Sequence, residues 1–303
     1  MSNTTQNEHA VSANIVSGFV SNGEGGNPAG VVLEADRLSE DQMLNVAAKL
    51  GLSETAFVSA SETEGFKLDF FTPTRRIAHC GHATIATFSY MAEQGLVGEG
   101  TTSKETVDGP RSISIKDGMA FMEQLAPKYR FPSQWVSEGV KLDEVLFSLG
   151  LATDDLDEKV SPVLVNTGNS FIVIGVKNGE ALQSLTPNFD LIEQISEKLD
   201  LIGYYVFTTD SNATDKDATT RMFAPRYGIE EESATGMAAG PLACVLHDFL
   251  DGDKTEFQIE QGKFMHVPSV SLIHVDLSIN DNKISGLMAG GKGKMLKQVV
   301  IEI

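Results

Sequence analysis

The sequence predicts an α+β protein of two similar domains, each a mixed β-sheet wrapped around a central α-helix. Strand-like segments alternate with few helices, and one helix, over 82–93, is apolar around most of its circumference. A weak internal repeat links the halves. Phe71-Thr72-Pro73 precedes Gly81-His82-Ala83, as Phe223-Ala224-Pro225 precedes Gly236-Met237-Ala238. In each half a strand ends in Phe-x-Pro, a loop follows, and Gly-x-Ala begins an apolar helix.

The first half contains strands around two helices. A polar segment through Glu8 is expected to fray. Ser39 and Gln42 fit a capping box at the start of the first helix, and Gly51 suits the position just after its end. The second helix is 82–93, closed by Gly95. Alternating or continuous apolar residues predict strands at 15–20, 31–33, 56–59 and 66–71 and a hairpin over 113–122.

Pro127 and Pro132 bracket an irregular stretch that suits a domain boundary. We therefore divide the chain into domains 1–127 and 128–303, with the last strand free to pack back on the first domain. Beyond the boundary, one helix runs from a cap at Asn188 to Leu199 and another from 235 to 249. Strands are expected at 163–166, 171–176, 204–208, 219–223, 257–260, 270–277, 284–288 and 299–303.

Charge and composition exclude several classes of protein. The 303 residues carry 23 Lys+Arg against 42 Asp+Glu, a net charge of −19, which argues against nucleic-acid binding. Apolar runs are too short for a membrane span, and the first ten residues lack the pattern of a signal peptide. Cys80 and Cys244 are too few for a disulfide framework. A cytoplasmic protein without nucleic-acid or membrane partners is the expectation.

The starts of the two apolar helices are candidate binding positions. Unpaired backbone N–H groups and a positive dipole end favour an anion there. Small residues, Gly81 and Ala83 in one half and Gly236 and Ala238 in the other, let a ligand carboxylate approach. A small anionic metabolite fits such a site. The alternative is that these glycines only permit tight turns.

Three ionisable residues near these helices are candidates for catalysis. Glu54 precedes an apolar strand, where a carboxylate is a candidate general base or a solvated strand-end residue. His82 stands at a helix start, which favours neutral imidazole. Glu232 ends an acidic run close to the second helix and is either a site residue or a solvated side chain. His79 and His82 lack further residues to complete a metal site, so no metal is expected.

Nucleotide and hydrolase motifs fail. The segment 286–292 has the glycine and lysine spacing of a P-loop, but Gly293 replaces the required Ser or Thr. No G-x-S-x-G sequence occurs. The sequence therefore gives little support to a hydrolase or a nucleotide-binding protein.

Five motifs occur in order along the chain: Gly26-Asn27-Pro28-Ala29-Gly30-Val31-Val32, Leu52-Ser53-Glu54-Thr55-Ala56-Phe57, Phe71-Thr72-Pro73-Thr74, Cys80-Gly81-His82-Ala83-Thr84 and Glu231-Glu232-Ser233-Ala234-Thr235-Gly236. In this order they resemble the PhzF-like family of phenazine biosynthesis proteins. The resemblance covers nearly the whole chain. It implies the diaminopimelate epimerase-like fold, with the active site between two similar domains, and a homodimer.

The resemblance implies cofactor-free isomerisation. The catalytic glutamate of the family falls on Glu54, which removes a proton from carbon and returns it elsewhere on the substrate. His82 is its polar partner, and Glu232 is the carboxylate of the second half. The motifs place substrate-binding residues at Asn27, Ser53, Gly81, Thr235, Gly236 and Met237.

Two departures from the family pattern bear on the substrate. Glu232 replaces the usual aspartate, and Met237 replaces a serine whose hydroxyl would bind substrate. Losing that donor costs about 0.5–1.5 kcal/mol if it is not replaced. The phenazine precursor dihydro-hydroxyanthranilate is therefore not the expected substrate. A catalytically degenerate binding protein is one alternative to an isomerase.

An epimerase that uses Cys80 is the other alternative. Epimerase and proline racemase relatives of the family use two opposed cysteines. Cys80 occupies the first of these positions, but Ser233 occupies the second. A two-thiol racemase is thus disfavoured, and a one-base isomerase using Glu54 is preferred.

Overall fold

The computed structural model of the chain describes residues 10–303. The segment through Glu8, expected to fray, lies outside the described residues. Within them the strands are Ala10–Gly18 (β1), Asn27–Val32 (β2), Thr55–Ser59 (β3), Phe66–Phe71 (β4), Arg76–Ile77 (β5), Gly100–Thr106 (β6), Gly109–Lys116 (β7), Met119–Leu125 (β8), Lys128–Arg130 (β9), Val163–Asn166 (β10), Ser170–Gly175 (β11), Gly203–Thr208 (β12), Ala218–Ala224 (β13), Ile229–Glu232 (β14), Glu256–Gln261 (β15), Ser271–Asn280 (β16), Lys283–Gly291 (β17) and Lys294–Glu302 (β18).

The helices are fewer, as expected for an α+β protein. In the described part of the chain, none of them combines the length and apolar character that crossing a membrane requires. The α-helices are Glu40–Leu50 (α1), Gly81–Glu93 (α2), Pro132–Trp135 (α3), Leu142–Phe147 (α4), Gly179–Gln183 (α5), Phe189–Leu199 (α6) and Gly236–Phe249 (α7).

One compact unit contains the described residues 10–23, 27–122 and 291–303. Strand β1 pairs antiparallel with both β18 and β2. Strands β2 and β3 are parallel, β3 and β4 antiparallel, and β4 and β6 parallel again. The antiparallel pairs β6–β7 and β7–β8 follow. The parallel pairs need crossovers, which α1 and α2 supply.

Helix α2 is the centre of this unit. Eleven of its thirteen residues are buried, and it packs against β1, β2, β3, β7 and β18. The predicted enclosed helix is confirmed. Strand β1 approaches the helix closely at Gly18, where an added Cβ would lie 3.1 Å from the His82 carbonyl oxygen and 3.3 Å from the Ala86 nitrogen. Any larger residue at Gly18 would push the start of the helix away from the strand.

The predicted caps of α1 are also present. The Ser39 Oγ accepts from the Gln42 backbone N–H at 3.3 Å, and the Gln42 Oε1 accepts from the Ser39 N–H at 2.9 Å. Gly51 ends the helix at φ 65°. The helix packs its apolar face, including Val46, into a core that contains Phe57 from β3.

The second compact unit contains residues 24–26 and 123–290. Its strands pair in the same order as those of the first: β10–β11 antiparallel, β11–β12 parallel, β12–β13 antiparallel, β13–β15 parallel, and β15–β16–β17 antiparallel. Helix α7 is buried over most of its length and packs against β11 and β16. A separate core around Trp135 lies beneath α4, α5 and α6. The shared pairing order agrees with the repeat read from the sequence.

Sequence patterns missed some elements, β6 above all. Its sequence, 100–106, contains no large apolar residue, so hydrophobic alternation does not indicate a strand there. Pairing with β4 and β7 forms it instead. Strand β1 also begins at Ala10, five residues earlier than predicted, because β18 pairs along its whole length.

The acidic run before α7 is only partly solvated. Glu231 on β14 accepts two hydrogen bonds of 2.8 Å from the Arg221 guanidinium on β13. The side chains are 10% (Arg221) and 15% (Glu231) exposed. The simple interpretation of a solvated run therefore fails at Glu231 and holds at Glu230, which is exposed.

We predict that Glu231→Gln destabilises this unit by about 2–3 kcal/mol, since it leaves the mostly buried Arg221 charge without its bidentate partner. Urea unfolding followed by the fluorescence of Trp135, the single tryptophan, measures the change in the unit that contains the pair. The matched variant Glu230→Gln should shift stability by less than about 0.5 kcal/mol. Equal small shifts in both variants would show that the ion pair contributes little.

Candidate active site

Glu54 stands at the beginning of β3 and is held by its backbone. Its carbonyl accepts a hydrogen bond from the Gly30 N–H of β2 at 3.0 Å. Gly30 permits the close approach of the two strands, because an added Cβ would lie 2.6 Å from the Thr55 Oγ1. The Glu54 side chain is only 13% exposed. The carboxylate therefore has a fixed, largely buried position and is not a solvated strand-end group.

The start of α2 brings two further side chains to this carboxylate. His82 Nε2 lies 3.3 Å from Glu54 Oε2. On the other side of the same ring, Cys80 Sγ lies 3.6 Å from His82 Nδ1. Cys80, His82 and Glu54 thus form a row of thiol, imidazole and carboxylate. We call these three residues the polar row.

The polar row also has the residue types of a metal site. One donor atom from each residue lies within 4.8 Å of the others. However, the sulfur faces one imidazole nitrogen and the carboxylate faces the other. A metal ion takes a single nitrogen of a histidine. The arrangement therefore suits hydrogen bonding along the row better than three ligands around one ion.

Burial raises the pKa of the Cys80 thiol, and the nearby Glu54 adds to the effect, whereas His82 opposes it. Thiolate is the nucleophilic and basic form of cysteine. A thiol held in the protonated form is a poor general base at neutral pH. This argues against an epimerase in which Cys80 removes the proton.

A buried lysine lies behind the start of α2. Lys104 on β6 is fully buried, and its Nζ donates to the Thr84 Oγ1 at 2.5 Å. The same Nζ lies 3.1 Å from His79 Nδ1 and 4.9 Å from the Phe70 ring centroid. Thr84 in turn donates to the Cys80 carbonyl at 2.6 Å. Lys104 is thus connected to the backbone of the polar row.

Burial lowers the pKa of both Lys104 and His79. It lowers the pKa of Lys104 to about 7. It also lowers the pKa of His79 well below 6.5, with the Lys104 charge as the second cause. The sequence analysis did not identify Lys104. Lys104 could be recognised only from its inward-facing position in β6. That position is apparent only once 100–106 is known to be a strand.

We predict that Lys104 makes the unfolding free energy depend on pH. Between pH 7 and 10.5 the unfolded chain binds a proton at Lys104 that the folded protein has lost, so stability rises with pH in that window. The unfolding free energy of wild type minus that of Lys104→Met should increase by about 2 kcal/mol from pH 7 to pH 9.

Urea unfolding followed by circular dichroism at each pH measures this difference. Lys297→Met, at an exposed position on β18, serves as the control and should give a flat difference. A flat difference for Lys104→Met as well would mean that the buried amine keeps an ordinary affinity for its proton.

The second unit holds Glu232 by a different network. Glu232 Oε2 accepts from the Thr235 hydroxyl at 2.5 Å. Fully buried Gln261 on β15 donates to the Glu232 carbonyl at 2.7 Å and to Thr235 Oγ1 at 3.2 Å. Its Oε1 accepts from the Thr235 N–H at 3.1 Å and from the Tyr205 hydroxyl at 2.9 Å. Gln261 therefore fixes both ends of the loop that carries Glu232.

Two further residues at the start of α7, Ser233 and the family departure Met237, also have defined partners. The Ser233 hydroxyl donates to the Gly26 carbonyl at 3.0 Å. The Met237 sulfur accepts from the Asn169 amide at 3.4 Å. Ser233 therefore makes a backbone contact where a second thiol would be needed, and Met237 is held by Asn169.

The remaining predicted site residues lie on or next to the strands and helices that carry Glu54, His82 and Glu232. In the first unit, Asn27 is the buried first residue of β2, Ser53 directly precedes Glu54, and Gly81 begins α2. In the second, Gly236 begins α7, and its carbonyl accepts from Gln124 Nε2 at 2.9 Å. Glu54 and His82 are thus brought together in one unit, and Glu232 and Thr235 in the other.

Comparison with known proteins agrees with these motifs. The family model PhzC-PhzF, described as phenazine biosynthesis-like protein, matches residues 16–296. The chain belongs to this family. An uncharacterized isomerase from Clostridium acetobutylicum is 34% identical to it over 274 residues, covering 86% of this chain and 89% of the relative. The family expected from the sequence is confirmed, and the chain is an enzyme of the isomerase class.

Solved structures support the fold. A PhzF-family protein from Bacillus anthracis is 25% identical with a TM-score of 0.84, covering 97% of this chain and 99% of that one. A hydroxyproline epimerase from Agrobacterium vitis, at 11% identity and a TM-score of 0.56, covers 98% of this chain and 93% of its own. The second likeness concerns the fold alone. The predicted α+β class, of the epimerase-like kind, is confirmed.

Proposed function

We propose that this PhzF-family isomerase moves a proton on a small carboxylate-bearing metabolite without a cofactor, with Glu54 as the general acid and base. Glu54 takes a proton from a substrate carbon, and the electron pair of that C–H bond is delocalised into the neighbouring unsaturated group. Glu54 then returns the proton to another carbon of the same molecule. Atoms and charge balance, and no second reactant is needed.

The observation that carries the proposal is the 3.3 Å contact between Glu54 Oε2 and His82 Nε2. General-base catalysis requires a carboxylate of fixed orientation in a site with little water. The low exposure of the Glu54 side chain meets the second requirement, and the backbone bond from Gly30 fixes the main chain that carries the carboxylate. His82, itself buried, lies close enough to the carboxylate to orient it.

Recognition of an anionic substrate is proposed to use backbone amides. Helices α2 and α7 are both long enough to present uncompensated N–H groups in their first turns. Gly81 and Gly236 keep those turns accessible to a carboxylate. In this scheme Glu232 assists the proton transfer, and Asn27, Ser53, Thr235 and Met237 contact the substrate. A cytoplasmic homodimer stays a prediction from the family resemblance.

We predict that Glu54→Gln abolishes exchange of carbon-bound hydrogen. The wild-type enzyme, incubated in deuterated water with a panel of amino and hydroxy acids, should incorporate deuterium into at least one of them, as followed by mass spectrometry. Glutamine cannot accept the proton, so the exchange rate should fall by about 10²–10⁴-fold.

The exposed Glu62, in the turn between β3 and β4, provides the matched control. Glu62→Gln should exchange at the wild-type rate. Wild-type exchange in Glu54→Gln would overturn the assignment of the base. Tight binding of a metabolite without exchange in any variant would favour the degenerate binding protein.

A further inference from the structure

The polar row contains a cysteine to which the proposed proton transfer assigns no step. Cys80 is buried, precedes the first residue of α2 and contacts the ring of His82 through its sulfur. Its backbone is fixed, because Thr84 donates to its carbonyl and Lys104 donates to Thr84. The position of the sulfur beside Nδ1 is therefore set by the fold.

Neutral imidazole has one hydrogen on its two ring nitrogens, so one nitrogen donates a hydrogen bond and the other accepts one. In His82, Nδ1 faces the Cys80 sulfur and Nε2 faces the Glu54 carboxylate. An ionised carboxylate only accepts hydrogen bonds. If Nδ1 carried the hydrogen, the lone pair of Nε2 would face the lone pairs of Glu54 Oε2. Two acceptors at 3.3 Å repel each other, so an ionised Glu54 requires the hydrogen on Nε2.

With the hydrogen on Nε2, Nδ1 is an acceptor and needs a donor. The Cys80 thiol supplies one, since burial raises its pKa and keeps the sulfur protonated. The thiol then donates to Nδ1, and Nε2–H lies 3.3 Å from the carboxylate oxygen, a favourable electrostatic contact that does not have the geometry of a hydrogen bond.

The geometry points to Cys80 as the positioning residue that holds His82 in its Nε2–H tautomer, so that His82 places an N–H, and not a lone pair, beside the Glu54 carboxylate in the state that accepts the substrate proton. The kinetic part of this inference rests on the proposed function. The tautomer itself does not.

The tautomer can be measured without any substrate. Nitrogen-15 NMR of protein labelled on histidine distinguishes Nδ1–H from Nε2–H, and His82→Gln identifies the His82 signals among the six histidines. We expect Nε2–H in wild type and in Cys80→Ser, whose hydroxyl also donates. Cys80→Ala, which has no donor, should give a mixture of tautomers.

Cys244→Ala is the control, since it removes the other buried thiol, which lies on α7. It should leave the His82 signals unchanged. The Nδ1–H tautomer in wild type would overturn the inference, as would an unchanged Nε2–H tautomer in a folded Cys80→Ala protein. The wild-type spectrum alone decides the first point even if Cys80→Ala does not fold.

Kinetics of the exchange reaction separate positioning from proton transfer. Cys80→Ala should lower kcat about tenfold with little change in KM, the scale found for groups that orient a functional imidazole. Cys80→Ser should recover a rate close to wild type. A serine variant as inactive as Glu54→Gln would instead make Cys80 a proton carrier and overturn the inference. Full exchange by Glu54→Gln would refute the proposed function and leave the tautomer result standing.

Discussion

Helix α2 has almost no surface in contact with water, and the organisation of the first unit follows from that constraint. A helix enclosed by a sheet requires strands that approach it closely. Strand β1 meets the helix at Gly18 and β2 meets β3 at Gly30, where an added Cβ would crowd its neighbours. These two close approaches bring Glu54 to His82. The polar row is therefore a consequence of how tightly the sheet encloses its helix.

The two units share the same strand order, but different side chains hold the start of the central helix in each. One strand of each unit supplies a buried polar side chain that holds the segment at the helix start. This strand is β6, parallel to β4, in the first unit and β15, parallel to β13, in the second. In the first unit this is the amine of Lys104, and in the second the amide of Gln261. Only the first choice introduces a group that changes its charge near neutral pH.

Local signals in the sequence predicted local structure well. The capping box at Ser39, the enclosed helix α2 and the repeated strand–loop–helix order are each determined by residues close together in the chain. Contacts across strands were not readable in this way: nothing in the acidic run marks Glu231 as the partner of Arg221. The role proposed for Glu54 came from the family resemblance, since a solvated side chain is the commoner case at such a position. The domain limits at 127 and 128 stay a prediction.

The charge of the protein and that of its proposed substrate have the same sign, and the proposed contacts at short range make the two compatible. A net charge of −19 repels an anion at long range, but screening by salt confines that repulsion to about 10 Å. At short range the proposed contacts are backbone amides at the helix starts, which act in a medium of low dielectric, where each partial charge has a larger effect. Lys104 is one hydroxyl away from the Cys80 carbonyl, and burial lowers its pKa to about 7. Its positive charge is therefore only partly present at neutral pH, so any contribution of Lys104 to the positive potential at the start of α2 falls as the pH rises through 7, whereas the contribution of the backbone amides does not depend on pH.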